Sequence, residues 1–357
     1  MRMRVAVVYN KPQPSRYDAL GEELSVLGVL EAVEAVRQAL LELEYEVTVV
    51  PLVPPLEAAG RELRNLETDL VFNLFEGFCG EPETETIVPD VLSEIGVPFT
   101  GSPGPVIKLA LDKARTKSIL QDAGIRTPDF QVLNPQTAAT FHLSYPCIVK
   151  PCCEDASNGL SAKSVVRDFA SLKRQVSLVS DCYNGDAIVE RFITGREFNA
   201  TVLGNFAFTV LPVSQIVYCL PPGMPEILTF AAKWEPNSPY FQGTKPVCPA
   251  DITGQEHDRI ARTITEVYRL LGCRGYARVD LRLDQDGELN VIEVNPNPDI
   301  SPGTGAARQA AAAGMAYAQF IKQLVQLGLD AKDDENRRPA HVSRRPARRV
   351  KDTRQYA

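Results

Sequence analysis

The stretch from Tyr276 to Gly305 carries charged residues at a spacing that could do chemistry. Two alternating runs flank Asp286-Gly287, and an Asp-Gly pair favours a two-residue type I′ turn because both positions need positive φ. Such a turn would place Asp280 opposite Glu293 on the neighbouring strand. Because side chains alternate along a strand, the two carboxylates would share one face of the hairpin.

The same register places Arg278 opposite Asn295 on that polar face. The other face would carry the apolar residues Val279, Leu281, Ile292 and Val294, as expected for a hairpin packed on a core. Carboxylates held roughly 5 Å apart repel each other unless a cation lies between them, and carboxylate and amide oxygens suit Mg²⁺. We therefore predict Mg²⁺ at Asp280, Glu293 and Asn295, with Mn²⁺ as an alternative ion, and phosphate as its partner. The simpler alternative is a solvated hairpin face with an Asp/Arg ladder.

A second cationic position is Lys150, which ends the apolar run from Pro146 and enters the loop 154–161. A lysine at a strand end, followed by a small-residue loop with free backbone N–H groups, is a phosphate cradle in physical terms. The alternative is a surface lysine that closes the strand. No G-x-G-x-x-G or G-x-x-x-x-G-K-[ST] pattern occurs, so dinucleotide-binding and P-loop folds lack their usual motifs.

Alternating strand and helix patterns precede these residues. Apolar runs at 4–9, 46–52 and 69–75 predict strands, and a long helical pattern covers 22–43. This alternation predicts a parallel sheet with helical crossovers in a first lobe that ends near Gly101. Helices are also predicted over two later segments, 256–271 and 306–329.

The motif R-x-D, then D-G, then E-x-N-x-x-P resembles the metal-binding hairpin of the ATP-grasp superfamily, and specifically of D-alanine–D-alanine ligases. The segment Pro146–Pro151 resembles the superfamily's V-K-P strand, and the likeness covers about residues 4–327. It implies an α/β fold of three lobes, with a Rossmann-like N-terminal parallel sheet and the nucleotide between the two later lobes. The expected divisions are 1–101, 102–188, 189–330 and a disordered basic tail at 331–357.

The resemblance also implies which residues bind ATP. Lysines would meet the phosphates, a serine would belong to the flap above them, the hinge after an apolar strand would line adenine, and a later Glu would accept the ribose hydroxyls. Carried over position by position, these are Lys113, Lys150, Lys233, Ser157, Glu190, Phe192, Ile193 and Glu197. The alternative for the two glutamates is a pair of interdomain salt bridges.

Further residues are implied to act on the substrates. Arg278 would stabilise the tetrahedral oxyanion, Lys233 would act on the transferred phosphoryl group, and Glu23 of an E-x-S motif would reach the first amino acid. Alternatively, Glu23 is a favourable first-turn acid of a helix. The remaining substrate positions implied by the resemblance are Glu76, Glu81, Trp234, Asp299, Thr304 and Gly305.

The chain departs from the family pattern around the first substrate. Glu76 stands where the family has histidine, Ala156 where it usually has a second serine, and Trp234 where it commonly has tyrosine. After the hairpin, Asp299 replaces a glycine. Because buried polar partners discriminate strongly between substrates, we expect an altered amino-acid pocket.

Composition narrows the function further. The net charge is −7, but residues 331–357 contain nine Lys or Arg and four Asp or Glu, so the rest of the chain carries −12. An acidic body disfavours nucleic-acid and anionic-membrane partners. No apolar run is long enough for a membrane span and no signal-peptide core follows the first residues, which predicts a cytoplasmic protein. Eight cysteines without C-x-x-C spacing and three histidines disfavour zinc sites.

These observations predict an ATP-dependent carboxylate–amine ligase with small amino-acid-like substrates, which forms an amide through an acyl phosphate. Relatives of this kind are often homodimers, and we expect the same here. Three alternatives stay open: a true D-alanine–D-alanine ligase, a phosphotransferase that uses the same nucleotide site, and a nucleotide-binding protein without turnover.

Overall fold

The structure is a computed structural model that describes residues 2–78, 80–154 and 157–337. Its first sheet has three strands in the order β2-β1-β3, namely β1 (Arg4–Asn10), β2 (Glu46–Leu52) and β3 (Leu70–Leu74). All three are parallel, as the alternation of strands and helices predicted. Every residue of β3 is buried, which is typical of a parallel strand covered on both faces.

Several helices pack against the sheets. In chain order the helices are α1 (Arg16–Leu20), α2 (Glu23–Leu27), α3 (Val29–Glu42), α4 (Leu56–Arg64), α5 (Ile87–Ile95), α6 (Gly104–Leu111), α7 (Lys113–Asp122), α8 (Phe169–Tyr183), α9 (Phe230–Trp234), α10 (Pro239–Gly243), α11 (Gly254–Leu271), α12 (Gly305–Ala312) and α13 (Tyr317–Arg337). Short 3₁₀ segments lie at Pro82–Thr86, Ala138–Thr140 and Ala162–Ser164. Among the described residues, every helix is too short or too polar to span a bilayer.

The second sheet is antiparallel and carries Lys150. Its strands, in the order β4-β7-β5-β6, are β4 (Phe130–Leu133), β5 (Cys147–Pro151), β6 (Val165–Val166) and β7 (Ala187–Arg191). Helix α8 buries its apolar stripe against one face. The predicted lobe boundary at residue 188 falls inside β7, and the division into lobes stays a prediction.

The third sheet carries the charged hairpin. Its strands are β8 (Gly195–Leu203), β9 (Thr209–Val210), β10 (Ser214–Tyr218), β11 (Thr244–Val247), β12 (Tyr276–Asp284) and β13 (Leu289–Asn295), in the order β11-β10-β8-β12-β13 with β9 beside β8. The amphipathic helix α11 covers its apolar face with Ile260, Ile264 and Val267. The opposite face carries the charged residues of the hairpin, and α12 covers another part of it, where Gln309 donates to Asn199 and Ser214.

The β12–β13 hairpin differs from the prediction at its turn. The loop has three residues, 285–287, because Asp284 N–H donates to the Glu288 carbonyl and only Gly287 has positive φ. A β-bulge at Ile292 then shifts the register back, so that Asp280 still pairs with Glu293 and Arg278 with Asn295. The predicted two-residue turn was therefore wrong, although the predicted pairing of these charged residues is confirmed.

The bulge also changes which side chains face the core. Val291 is fully buried among the core residues Val279, Leu281 and Val294, as one face of the hairpin requires. Ile292, predicted on that apolar face, instead lines the opposite, polar cleft. The cause is geometric: one extra residue on a strand reverses the side-chain alternation beyond it.

Two helices predicted as continuous are interrupted. The pattern over 22–43 forms α2 and α3, which meet at Gly28, a residue of low helix propensity. The pattern over 306–329 forms α12 and α13, because Gly314 adopts φ +82° and ends the first of them. Here the glycines were the visible signal, since both interruptions lie at or beside one.

The final helix returns to the first sheet. Phe320, Ile321 and Leu324 of α13 are buried in one core with Val5 and Phe72 of the parallel sheet. The helix continues to Arg337, so residues 331–337, predicted to belong to a disordered tail, are helical. The remaining tail residues, 338–357, lie outside the described residues, as does Ala156.

Candidate active site

A single cleft brings together most of the residues singled out in the sequence. It lies between the second and third sheets and encloses about 860 Å³, counting its solvent-open mouth. All eight residues predicted to contact nucleotide line it, and so do Arg278, Asp280 and Glu293 of the hairpin. We call this space the central cleft. The juxtaposition of these residues is an observation, whereas their individual roles stay predictions.

The acidic pair on the hairpin is already matched by cations of the chain. Arg278 donates from Nε and Nη2 to the two oxygens of Asp280, at 2.7 and 2.9 Å. Lys113 Nζ lies 3.2 Å from Glu293 Oε1. Each carboxylate therefore has a positive neighbour inside the protein.

Burial and neighbouring charges move the two carboxyl groups in opposite directions. Burial raises the pKa of Asp280, and the nearby Glu293 adds to this effect against the opposing charge of Arg278. Burial would also raise the pKa of Glu293, but Lys113, Lys150 and Arg278 together lower it to about 2. Glu293 is thus firmly ionised, and a divalent cation would find at least one full negative charge there.

The donor chemistry of these residues fits a hard divalent cation. Asp280 and Glu293 face each other across β12–β13, and Asn295 lies two residues beyond Glu293 on the same strand. Across residues 2–78, 80–154 and 157–337, no group of three or more His, Cys, Asp or Glu side chains is arranged to hold a metal. The candidate set is instead two carboxylates and an amide, a composition that leaves positions for phosphate oxygens or water, as Mg²⁺ prefers.

A buried charge triad lies at the floor of the central cleft. Glu190 is 1 % exposed and lies between Lys150, at 3.1 Å from Oε2, and Lys117, at 3.4 Å from Oε1. The longer contact is an ion pair and not a well-formed hydrogen bond, since Oε1 receives no donor at hydrogen-bond geometry. Burial would raise the pKa of Glu190, but the two ammonium groups outweigh it and the pKa is lowered.

Lys117 was not assigned a role from the sequence. It lies one helical turn after Lys113 on α7, a spacing that puts both side chains on one face, and this spacing was the available signal. Its Nζ also donates to Thr127 Oγ1 at 2.9 Å and to the Ile292 carbonyl at 3.1 Å. Because the bulge presents that carbonyl, Lys117 links α7 to the irregular part of β13.

Lys117 should make stability depend on pH in alkaline solution. Burial lowers its pKa from 10.5 to about 8 in the folded state, so between these values the unfolded chain binds more protons than the folded one. The free energy of unfolding of the wild type should therefore rise relative to that of Lys117→Met between pH 8 and pH 10, by about 1 kcal/mol per pH unit at most. Urea unfolding at each pH measures this. A difference that is the same at every pH would contradict it.

The part of the cleft near Glu197 contains another residue to which the sequence analysis assigned no role. Arg282 is 5 % exposed and pairs with Glu197, the predicted ribose acceptor, through Nε at 3.0 Å. It lies directly opposite Glu197 in the β8–β12 register. Since Arg282 follows Asp280 by two residues, strand alternation placed it on the same face, and the sequence did contain this signal.

The first turn of α1 contacts Glu154, at the start of the loop that follows β5. Glu154 accepts from Tyr17 Oη at 2.6 Å and pairs with Arg16, while its carbonyl accepts from Lys113 Nζ. Ser157, the predicted flap serine, adopts a left-handed backbone with φ +63°. These contacts join α1 and α7 to the start of the loop that follows β5.

The structure does not bring Glu23 to the central cleft. Glu23 is exposed as the first residue of α2. Its neighbour Glu22 is buried instead, where it accepts from Gly159 N–H and Tyr183 Oη, both at 2.8 Å. Burial raises the pKa of Glu22. The direct role predicted for Glu23 stays untested, and Glu22 is the glutamate of this helix start that meets the flap.

The residues that the resemblance implies to meet the substrates do not line the central cleft. Glu76 and Glu81 are both exposed on the loop after β3. Burial raises the pKa of the Tyr276 hydroxyl, and the nearby carboxylates of Glu76, Glu85 and Asp299 add to the shift. Two of the four departures from the family pattern, Glu76 and Asp299, therefore place their charges near the same tyrosine.

The loop after β13 is stabilised from within. Asp299 Oδ1 accepts from both the N–H and the hydroxyl of Ser301, at 2.8 and 2.7 Å, and Thr304 Oγ1 donates to the Ser301 carbonyl at 2.7 Å. Gly305 begins α12 beside Arg278, because a Cβ built on it would lie 3.7 Å from Arg278 Cδ. The N-terminus of α12 thus lies at the hairpin.

Trp234, at the end of α9, packs against the first lobe. A Cβ built on Gly28 would come within 2.8 Å of the Trp234 ring, so glycine is needed between α2 and α3 for this contact. The buried indole N–H has no hydrogen-bond partner among the described residues. The helix carrying Lys233 is therefore held over the cleft by an aromatic contact with the N-terminal lobe.

Comparison with known proteins identifies relatives over most of the chain. The family model for the D-ala D-ala ligase C-terminus matches residues 119–326. An uncharacterised protein of Sinorhizobium fredii is 36 % identical over 72 % of this chain and 73 % of its own length. A D-alanine–D-alanine ligase of Cupriavidus pinatubonensis is 32 % identical over 80 % of this chain and 84 % of its own length.

A solved structure shows the same fold. The D-alanine–D-alanine ligase from Bacillus anthracis, crystallised with ATP, superposes with a TM-score of 0.70 at 21 % identity, covering 94 % of this chain and 99 % of that one. At this identity the likeness concerns the fold, which is the ATP-grasp arrangement predicted from the sequence.

Proposed function

The chain belongs to the D-alanine–D-alanine ligase family of ATP-grasp proteins, and from this premise we propose that it is an ATP-dependent carboxylate–amine ligase. One observation carries the proposal: Lys113, Lys150 and Lys233 line the same cleft as Asp280 and Glu293. Three ammonium groups suit a triphosphate, and two carboxylates suit the divalent cation that accompanies it.

The proposed reaction has two steps. The substrate carboxylate attacks the terminal phosphorus of ATP, which gives an acyl phosphate and ADP. The amine of the second substrate then attacks the acyl carbon, phosphate leaves, and the nitrogen loses a proton to give the amide. The side chains act by charge and position, so no protein nucleophile is needed.

Each group of residues has a proposed part in these steps. The three lysines neutralise the phosphates, and Arg278 stabilises the oxyanion of the tetrahedral intermediate beside the N-terminus of α12. Asp280, Glu293 and Asn295 would hold Mg²⁺, which supplies Lewis-acid polarisation of the phosphates when bound. Glu190, Phe192, Ile193 and Glu197 would receive the adenosine moiety. Gly305 and Thr304 would meet the carboxylate of the second substrate.

We propose amino-acid substrates that differ from two D-alanines. Glu76 and Asp299 lie near the Tyr276 hydroxyl, where they add negative charge to the substrate side. Trp234, at the end of α9, replaces the family's usual tyrosine, so this position has no hydroxyl group. These changes favour another acid or amine, because a lost hydroxyl alters discrimination in a buried site. D-alanine–D-alanine ligase activity itself is the second candidate, and the 32 % identity to a named enzyme of that kind favours it.

A substrate panel tests both candidates. Purified protein is incubated with ATP, Mg²⁺ and pairs of amino acids, ADP release is followed by a coupled assay, and products are weighed by mass spectrometry. We expect ADP release to require both a carboxylate and an amine, with a product lighter than the two substrates together by one water. A dipeptide formed from D-alanine alone would select the second candidate. A phosphorylated acceptor that persists without amide formation would instead indicate a phosphotransferase.

A further inference from the structure

Arg282 connects three elements on the hinge side of the central cleft. Its Nε donates to Glu197 Oε2 at 3.0 Å, and its Nη1 donates to the Ile193 carbonyl at 2.7 Å. Nη2 donates to the carbonyl of Glu226, which lies in the segment before α9. One guanidinium thus joins β8, the segment before β8 that contains Ile193, and the segment that leads to α9.

The Glu197 carboxylate is held asymmetrically. Tyr218 Oη donates to Oε2 at 2.8 Å, the same oxygen that receives both Nε and Nη2 of Arg282. Oε1 receives no hydrogen bond from any residue that the structure describes, and Glu197 lines the cleft. Burial raises the pKa of Tyr218 well above its usual value, so its hydroxyl stays a donor.

Aromatic rings complete the enclosure of the guanidinium. Its centre lies 5.3 Å from the Phe192 ring and 5.9 Å from the Tyr218 ring, within the range of cation–π attraction. A cation beside two aromatic rings that also donates forked hydrogen bonds is an arrangement that lysine cannot reproduce. Arg282 therefore has one well-defined orientation, and its hydrogen bonds fix the position of Glu197 Oε2.

We propose that Arg282 is a positioning residue for nucleotide selection: together with Tyr218 it occupies one oxygen of Glu197 and thereby directs the other to the ribose hydroxyls. The inference rests on the proposed function, in which Glu197 meets the ribose. It adds a residue for which neither the sequence motifs nor the family pattern gave a role.

Arg282 also connects the proposed ribose site to α9, the helix that carries Lys233. From Glu226 the chain runs through Ile227 and Leu228, which line the cleft, to the helix that carries Lys233. Loss of Arg282 should therefore weaken nucleotide binding as a whole, as well as the choice between nucleotides. The choice is the more specific readout, because a general loosening of the cleft would weaken all nucleotides alike.

Binding measurements with two nucleotides test this role without requiring turnover. The dissociation constants of ATP and 2′,3′-dideoxyATP are measured by calorimetry, with Mg²⁺ and without amino acids. The wild type should prefer ATP by about tenfold or more, because hydrogen bonds to a charged carboxylate are lost with the hydroxyls. Arg282→Met and Glu197→Gln should both reduce this preference to about twofold or less, and Tyr218→Phe should give an intermediate value.

Two further variants separate positioning from general damage. Arg282→Lys keeps the positive charge and should fold even if Arg282→Met does not. The ratio of its dissociation constants for 2′,3′-dideoxyATP and ATP should be less than about half the wild-type ratio. Arg196→Met is the matched control, because Arg196 precedes Glu197 but bonds to Glu256 and Gln215 outside the cleft. Its preference should equal that of the wild type.

The outcomes distinguish this inference from the proposed function. If Glu197→Gln loses the preference while both Arg282 variants keep it, the role of Arg282 is overturned and the ligase proposal is untouched. Equal binding of the two nucleotides by the wild type, or an unaltered preference in Glu197→Gln, would overturn the ribose assignment and this inference with it. A wild type that binds neither nucleotide would overturn the proposed function.

Discussion

Glu293→Gln should lower the rate of ATP-dependent ADP release on the order of a thousandfold. Glu293 is the carboxylate held most firmly in its ionised form, with a pKa lowered to about 2, and it contacts Lys113 at 3.2 Å. Replacing it by an amide removes a full negative charge where the metal and the phosphates are proposed to meet. Asp280→Asn, its partner across the hairpin, should have an effect of similar size.

The control for this prediction lies in the same hairpin. Glu288→Gln makes the same substitution at an exposed residue of the turn, where Glu288 lies 3.5 Å from Arg126. Its turnover should stay within about twofold of the wild type, since exposed ion pairs contribute little. Circular dichroism and thermal melting would establish that all three variants are folded. Turnover of Glu293→Gln close to that of Glu288→Gln would remove the metal assignment.

Glu190→Gln should cause the largest loss of stability, about 3 kcal/mol in the free energy of unfolding. Glu190 is 1 % exposed and is the anion between Lys117 and Lys150. Its neutral replacement leaves two buried ammonium groups facing each other, and removal of one partner from a buried ionic cluster is costly because the remaining charge is uncompensated. Urea unfolding at pH 7 measures the effect.

A double variant and a surface control test the cause of this loss. Lys117→Met combined with Glu190→Gln should be more stable than Glu190→Gln alone, because the deepest uncompensated charge is gone. Glu34→Gln breaks an exposed pair with Arg37 and should leave the midpoint of urea unfolding close to that of the wild type. If the double variant is the less stable one, charge is not what destabilises Glu190→Gln.

The pairing of the charged β12–β13 hairpin was predicted correctly, although two features that the sequence did not reveal, the loop length and the bulge, offset each other. A two-residue turn pairs Asp280 with Glu293 directly, whereas the actual three-residue loop does so only because the bulge at Ile292 shifts the register by one residue. The loop length could not be obtained in the same way. Asp284 accepts from the N–H groups of both Asp286 and Glu288, and this local bonding favours a longer loop than the Asp-Gly pair alone suggests.

The nucleotide side of the cleft was more predictable than the substrate side. A lysine at the end of a strand is a general signal for phosphate, so Lys150 could be singled out from the sequence alone. Glu190 was singled out by the family resemblance, and both residues line the cleft. Glu22 and Glu23 are adjacent in an interrupted helix, and only packing decides which one turns inward. Lys117 and Arg282 were missed because their partners, Glu190 and Glu197, are distant in sequence.

The bulge at Ile292 has a consequence for how the hairpin tolerates change. Because it lies between the turn and the Asp280–Glu293 pair, it separates two registers within one hairpin. A residue gained or lost at the tip can be absorbed on the distal side, while the proximal side stays anchored by Lys117 on the Ile292 carbonyl. We therefore expect a one-residue change in the length of the loop tip to leave the Asp280–Glu293 pair in place.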